Sequence, residues 1–173
     1  MTPLGHAAVA FLTATTLSAL FPNIDNKTIF GATVLGGTIL DFDLVYHVIK
    51  KGKSGLGKDI GQHRFLPTHT PLFAFLLSLP LLLLIGWPFM VFFLLGITTH
   101  FLFDMFFFPE GINLTYPFGK KTVSFLVIKS PNWLAPKKIY QNDNWWKNYL
   151  TSPLFWLYEG LPTFLCFMLL LAK

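Results

Sequence analysis

Five long runs of apolar residues constrain this chain more than any other feature of its sequence. Only 12% of its 173 residues are charged, against about 25% in an ordinary soluble domain. An α-helix needs roughly 20 apolar residues to cross the hydrocarbon core of a bilayer. The sequence therefore predicts an all-α, polytopic membrane helix bundle of about five transmembrane helices, with residues 1–173 forming a single membrane-embedded domain. The runs lie at about 4–21, 28–49, 71–86, 88–108 and 153–172.

Turn and cap residues mark several ends of these helices. Thr70 and Ser152 are each followed by proline, which matches an N-cap residue with proline in the first helical turn. The Gly-Trp-Pro sequence at 86–88 predicts a tight turn that makes the third and fourth helices a hairpin. In the long 109–152 loop, turn residues followed by alternating and β-branched residues at 116–128 favour a short β-hairpin.

Basic residues orient the predicted bundle. If five helices alternate in direction, the N-terminus and the 50–70 and 109–152 loops share one side of the membrane. Of the 13 Lys and Arg residues, only Lys27 and Lys173 fall on the other side. Because cytoplasmic loops carry an excess of Lys and Arg, we expect a multi-pass protein of the cell membrane with its N-terminus and both large loops in the cytoplasm. The net charge of +5 suits an anionic membrane surface or an anionic substrate.

Ionisable side chains occur within the apolar runs and directly beside them. Such residues are costly inside a membrane and indicate function by default. In the predicted topology all of them fall in the cytoplasmic half of the bilayer or at its surface, which predicts one site at that face. They are His6, Asp41, Asp43, His47, His63, Arg64, His69, His100, Asp104 and Glu159.

The spacing of these residues indicates which of them can act together. His100 and Asp104 are four residues apart, so they share one helix face; they can bind one metal ion or form a hydrogen bond that tethers two helices. Asp41 and Asp43 are two residues apart, roughly 200° around a regular helix. Both can therefore face one centre only if the helix unwinds there, and the glycine pair at 36–37 is a candidate for that distortion.

The residue types predict a metal centre. Imidazole suits Zn²⁺ and other first-row metals, and a thiolate cluster is excluded because the single cysteine, Cys166, lies inside an apolar run. The expected cofactor is a divalent metal, Zn²⁺ by preference, with one or two ions. The predicted metal ligands are His6, Asp41, Asp43, His63, His69, His100 and Asp104.

Four sequence elements, taken in order, carry a resemblance to a known family. They are Gly5-His6, Leu40-Asp41-Phe42-Asp43, Gly61-Gln62-His63-Arg64 running to Thr68-His69-Thr70, and His100-x-x-x-Asp104. Over residues 1 to about 120 the chain resembles the membrane-bound, metal-dependent hydrolases described as LexA-binding and inner-membrane-associated. The resemblance implies a hydrolase of the inner membrane. The chain departs from the usual pattern at Leu40 and Leu44, where the family often has proline and histidine, and by one extra residue between His63 and His69.

The leading functional prediction is a metal-dependent hydrolase at the cytoplasmic face of the membrane, acting on a phosphoester or lipid-type substrate with metal-activated water. Arg64 is predicted to bind an anionic group, and Glu159, ahead of Glu110, to accept a proton. The expected partners are membrane lipids and an anionic or lipid-like substrate. No nucleic acid is expected, because the chain has no recognisable element that reads it.

Two other functions stay open at this point. A metal-ion or proton transporter would use the same intramembrane ligands, but it would also need polar groups in the outer half of the bilayer, where the sequence offers only Thr and Ser. A non-catalytic membrane protein with a structural metal site would tolerate loss of any water-activating group.

Overall fold

Helices dominate the part of the chain that the computed structural model describes, which is residues 2–51, 66–107, 111–119, 121–125 and 145–172. The all-α prediction is confirmed. A 3-10 turn, Pro67–His69, precedes α4, and a π-helical turn, Trp156–Gly160, joins α7 to α8. The helices are α1 (Pro3–Leu20), α2 (Asn26–Ile39), α3 (Phe42–Lys51), α4 (Pro71–Leu84), α5 (Trp87–Phe107), α6 (Trp145–Leu150), α7 (Pro153–Phe155) and α8 (Leu161–Leu171).

Three helical segments are long and apolar enough to cross a membrane. They are Pro3–Leu20 (α1), Asn26–Tyr46, which runs from α2 into α3, and Trp87–Phe106 in α5. The other two predicted spans are shorter apolar helices, Pro71–Leu84 and Trp156–Leu171. The 14 residues of α4 reach about 21 Å, less than the ~30 Å hydrocarbon core. Length and composition therefore support three of the five predicted spans directly, and the remaining two are shorter than expected.

Local signals explain where the helices begin and end. The Thr70 hydroxyl accepts a hydrogen bond from the Phe73 N–H at 3.3 Å, and Ser152 accepts one from the Phe155 N–H at the same distance. Gly86 adopts a φ of +114°, which glycine reaches without the steric cost of a Cβ. The predicted caps and the predicted turn between α4 and α5 are confirmed.

The predicted β-hairpin is reduced to one antiparallel bridge in the described part of the 109–152 loop. Ile112 and Val123 exchange both backbone hydrogen bonds, at 3.0 and 2.8 Å, and no strand extends from them in residues 111–119 and 121–125. The returning segment pairs with the end of α5 instead, because the Phe125 N–H donates to the Met105 carbonyl at 2.8 Å. The described residues of the predicted stretch therefore contain one bridge residue, Val123, in place of a hairpin, and residues 120 and 126–128 lie outside the described part of the chain.

Glycines allow α2 and α5 to cross closely. A Cβ on Gly36 would lie 2.1 Å from the Phe93 carbonyl oxygen, and a Cβ on Gly96 would lie 2.2 Å from the Thr33 carbonyl oxygen. Small residues bring helix backbones together in this way in membrane proteins, where packing replaces the hydrophobic driving force. The crossing places α2 between α1 and α5, so all three helices can contribute side chains to one end of the bundle.

Gly96→Ala is expected to destabilise the protein by about 1–3 kcal/mol, the usual cost of overpacking. The atom that a new methyl group would meet belongs to a helix backbone and cannot rotate away. Gly31→Ala is the matched control in α2, because nothing lies within 4 Å of its Cβ position. We expect that control to be neutral or stabilising by about 1 kcal/mol. Thermal unfolding in detergent measures both variants, and equal melting temperatures would contradict the close crossing.

Large apolar side chains lie on the outside of the bundle. Leu83 and Leu84 at the end of α4, and Phe164, Phe167 and Leu171 on α8, are each more than half exposed. A contiguous apolar surface of this kind is unfavourable in water and suits contact with acyl chains. The outer surface therefore supports a membrane location.

Candidate metal centre

Six buried ionisable side chains from separate parts of the chain meet at one end of the bundle. They come from the first turn of α1, the junction of α2 and α3, the 3-10 turn before α4, and the second half of α5. None is more than 8% exposed. We call them the His–Asp cluster, which consists of His6, Asp41, Asp43, His69, His100 and Asp104.

The cluster contains all but one of the predicted metal ligands. The exception, His63, lies outside the described residues, as do Arg64 and Glu110. Their predicted roles therefore stay predictions. Glu159 is described and occupies a different place, which is considered below.

A break in the helix lets both Asp41 and Asp43 approach the cluster. At 40–41 the hydrogen bonds span three residues instead of four: the Asp41 N–H donates to the Thr38 carbonyl at 3.1 Å and the Asp43 N–H to the Leu40 carbonyl at 3.2 Å. This local tightening changes the direction of successive side chains relative to a regular α-helix. The predicted unwinding is therefore present, but the upstream glycine pair suggested for it stays helical.

Three potential ligand atoms form a compact triangle at the centre of the cluster. His69 Nε2 lies 3.0 Å from His100 Nε2 and 3.2 Å from Asp104 Oδ2, and His100 Nε2 lies 3.6 Å from Asp104 Oδ2. Tetrahedral zinc, with metal–ligand distances of about 2.0–2.1 Å, separates its ligand atoms by about 3.3–3.4 Å. The three distances bracket that value, so the side chains fit a single divalent ion.

The contact between two imidazoles requires a positive charge. His100 Nδ1 lies 2.9 Å from the carbonyl oxygen of Gly37, which can only accept, so Nδ1 carries the hydrogen. His69 Nδ1 donates to Asp43 Oδ2 at 2.8 Å, and the same oxygen accepts from Thr68 Oγ1 at 2.9 Å. Both Nε2 atoms therefore present lone pairs to each other at 3.0 Å. The lone pairs repel unless a proton or a metal ion lies between them.

A proton on His69 can supply that charge in the metal-free protein. Burial alone lowers the pKa of this imidazole, but the hydrogen bonds and negative charges of Asp104 and Asp43 outweigh it and raise the pKa to about 9. His69 lies outside the membrane-spanning segments. Metal binding at neutral pH is therefore coupled to loss of this proton.

His6 joins the cluster from α1. Its Nε2 lies 3.3 Å from Asp104 Oδ1, and its ring stacks on that of His100 at a centroid distance of 3.8 Å and an interplanar angle of 14°. By the distances between their ligand atoms alone, which lie within 4.8 Å of one another, His6, His100 and Asp104 form a buried group that could hold a metal ion. Asp41 is close by, with Oδ1 4.0 Å from His100 Nε2.

Three buried atoms of the cluster form no hydrogen bond with any residue that the structure describes. They are His6 Nε2, Asp41 Oδ2 and Asp43 Oδ1. Buried polar atoms in native proteins are nearly always hydrogen-bonded, and each exception calls for an explanation such as a bound ion. These three atoms are therefore available to bind an ion in addition to the contacts that the side chains of the cluster make with one another.

Glu159 forms hydrogen bonds with Thr2 at the start of α1 and with Tyr149. None of its described hydrogen bonds reaches the triangle of His69, His100 and Asp104. Its Oε1 accepts from the Thr2 backbone N–H and from the Tyr149 hydroxyl, each at 2.6 Å, and its Oε2 accepts from the Thr2 hydroxyl. The π-helical turn that carries Glu159 inserts an extra residue and so redirects its side chain. Thr2 caps α1, and His6 follows in the first turn of that helix. No pattern in the sequence predicts this contact between Glu159 and Thr2.

Glu159→Gln is expected to destabilise the protein by about 1–3 kcal/mol. Both oxygens of the carboxylate accept hydrogen bonds from Thr2 or Tyr149. In the amide, an NH₂ group would replace one of these acceptors and would face a donor. Tyr149→Phe is the control, because it removes one donor and leaves the contacts with Thr2, and we expect it to cost about 1 kcal/mol. Both values can be read from thermal unfolding. If the Gln variant unfolded at the wild-type temperature, the contact would not stabilise the bundle.

Comparison with known proteins gives one family. The chain matches the YdjM inner membrane protein family over residues 1–171 and belongs to it. This membership supports the membrane location, and hydrolysis stays a prediction. No curated protein and no solved structure matches the chain.

Proposed function

We propose that this member of the YdjM inner membrane protein family is a metal-dependent hydrolase that acts at the cytoplasmic face of the membrane on a phosphoester or lipid-type substrate. The observation that carries the proposal is the pair of Nε2 atoms of His69 and His100, 3.0 Å apart with Asp104 Oδ2 beside them. Their hydrogen-bond partners turn both lone pairs toward the same point. A proton on His69 would satisfy that contact alone, and the buried His6, Asp41 and Asp43 atoms that form no hydrogen bond with any described residue favour a metal ion instead.

The residues that would hold the ion are themselves held in place. The Gly37 carbonyl fixes the ring of His100, and Asp43 fixes the ring of His69. Such outer partners set the tautomer and orientation of a ligating imidazole and raise its basicity. With two imidazoles and one carboxylate as ligands, Zn²⁺ is the expected metal, and the same set also suits Mn²⁺ or Fe²⁺.

Hydrolysis requires an activated water and a group that accepts its proton. A divalent ion bound at this site would lower the pKa of water towards ~7 and polarise the bond that is attacked. Asp41 lies beside the triangle and has one oxygen without a hydrogen bond to the described residues, so we assign the proton to it. Glu159 is occupied by Thr2 and Tyr149, and we assign it to positioning α1. Arg64 keeps its predicted role in binding an anionic group.

The position of the cluster along the helices supports an amphiphilic substrate. His100 and Asp104 lie seven and three residues before the end of α5 at Phe107, about 10 and 5 Å along the helix axis. A bond at that depth belongs to the headgroup region of a bilayer or to a molecule lying on it. The cytoplasmic side follows from the distribution of basic residues and can be tested with reporter fusions after residues 60, 130 and 173.

Hydrolysis of matched substrates by purified protein tests the proposal. A phosphodiester, a phosphomonoester and a carboxylic ester are each offered with a long acyl chain in mixed micelles and as the water-soluble headgroup analogue. We expect turnover of an acylated phosphoester, little turnover of its soluble analogue, and loss of activity in His69→Ala. Transport of divalent ions or protons into liposomes without hydrolysis would establish the transporter instead. Metal binding with neither activity would establish a structural site.

A further inference from the structure

We propose that the His–Asp cluster binds two divalent ions, one held by His69 and His100 and the other by His6, with Asp104 shared between them. The inference rests on the ion-binding part of the proposed function and is independent of hydrolysis. The second ion would lie outside the triangle formed by His69 Nε2, His100 Nε2 and Asp104 Oδ2.

The orientations of the imidazole rings separate the two sites. A metal ion lies close to the plane of each imidazole that binds it, along the lone pair of the nitrogen. The rings of His69 and His100 are inclined by 58° and their Nε2 atoms are 3.0 Å apart, so their planes can meet at one ion. The rings of His6 and His100 are stacked, inclined by only 14° with centroids 3.8 Å apart. Nearly parallel planes do not meet within coordinating distance of either nitrogen, so these two rings point to different positions.

The ring separation matches the spacing of known two-metal centres. When two stacked imidazoles point their ligand nitrogens the same way, ions bound in the two ring planes lie about as far apart as the rings. The Nε2 atoms of His6 and His100 both lie beside the Asp104 carboxylate, and the ring centroids are 3.8 Å apart. Paired metal ions in hydrolytic enzymes are about 3.5–4 Å apart, so the stacking is compatible with such a pair.

Asp104 presents a different oxygen to each site. Its Oδ2 lies 3.2 Å from His69 Nε2 and 3.6 Å from His100 Nε2, whereas its Oδ1 lies 3.3 Å from His6 Nε2. A carboxylate with one oxygen among the ligands of each ion is a bridge. His69, His100 and Oδ2 form one ligand group, and His6 and Oδ1 begin the other.

The His6 imidazole has capacity for a further partner. It is 2% exposed, and its Nε2 lies 3.3 Å from Asp104 Oδ1 without forming a hydrogen bond with any described residue. The Asp41 and Asp43 oxygens that form no hydrogen bond with a described residue add negative charge that a second cation would balance. Water and Asp43 are the available sources of its remaining ligands, and Asp41 keeps its proposed role of proton acceptor.

The two-ion site favours a phosphoester among the proposed substrates. Two ions at this spacing stabilise both the attacking and the leaving oxygen when a phosphoryl group is displaced in line. Ions held by Asp104 and the three imidazoles would then bind a phosphate-containing headgroup.

Manganese content and spectroscopy of the whole purified chain test the inference. The protein is stripped with chelator, reloaded with Mn²⁺, dialysed and measured by elemental analysis and electron paramagnetic resonance. We expect two Mn²⁺ per chain with the spectrum of an exchange-coupled pair. His6→Ala should bind one Mn²⁺ with the spectrum of an isolated ion. Ser78→Ala is the control, because this buried α4 hydroxyl donates to the Phe75 carbonyl of its own helix, and the variant should bind two.

The outcomes separate this inference from the proposed function. One isolated Mn²⁺ per chain in the wild type would overturn the second site and leave the proposed function standing. No bound Mn²⁺ would overturn both. The wild-type measurement decides the question even if His6→Ala fails to fold.

Discussion

Asp104→Ala is expected to remove all bound metal and to lower hydrolysis by more than about 10³-fold, since loss of even one stabilising donor from an active site costs about 10²–10³-fold. Asp104 is fully buried, and its two oxygens lie 3.2–3.6 Å from the Nε2 atoms of three imidazoles. Among the described contacts of the cluster, Asp43 meets the single imidazole of His69, and Asp41 Oδ1 lies 4.0 Å from His100 Nε2. The variant would remove the negative charge that attracts a cation and leave three buried imidazoles without it.

Elemental analysis and thermal unfolding with and without Zn²⁺ measure this effect. A ligand at 100 times its dissociation constant stabilises a protein by about 2.7 kcal/mol, so the wild type should melt at a higher temperature when metal is added and Asp104→Ala should not. Ser78→Ala should behave as the wild type. Full metal content in Asp104→Ala would contradict the assignment.

Asp43→Ala is expected to weaken metal binding by about 10–100-fold, the usual cost of removing a group that orients a ligating histidine. Asp43 Oδ2 accepts the Nδ1–H of His69 at 2.8 Å and so turns Nε2 toward the triangle. Asp43→Asn keeps an acceptor but loses the charge, and its loss of affinity should be smaller. Thr68→Ala removes only a second donor to the same oxygen and should change the affinity least.

Titration against a chelator of known affinity ranks these variants. An unchanged affinity in Asp43→Ala would show that Asp43 does not position the histidine. A loss in Thr68→Ala as large as that in Asp43→Ala would place the effect in the fold of the 3-10 turn instead.

The helices could be predicted because their signals are local. Apolar runs define α1, α2, α4, α5 and the C-terminal helix, and a Thr-Pro or Ser-Pro pair caps two of them. α4 ends at Leu84, two residues before the predicted bound at 86, because Ile85 already caps the helix ahead of the turn at Gly86. The β-bridge at Ile112 depends on a contact between the loop and α5, and alternation within the loop does not reveal such a contact.

The site could be predicted in its residue types but not in its contacts. Depth in the membrane was enough to group the buried histidines and aspartates, because such residues are costly in apolar surroundings. The Gly37 carbonyl that fixes His100, and the pairing of Glu159 with Thr2, join residues 63 and 157 positions apart. Both depend on how helices cross, which no local pattern encodes. The break at 40–41 was anticipated from the need of Asp41 and Asp43 to converge, although its place was not.

Turnover of the best acylated phosphoester before and after metal removal tests the central claim most directly. The protein is treated with chelator until elemental analysis finds no metal, assayed, and assayed again after reloading with Zn²⁺ or Mn²⁺. The metal-dependent hydrolase predicts that activity disappears on chelation and returns on reloading. The same rate of turnover in protein shown to be free of metal would contradict it.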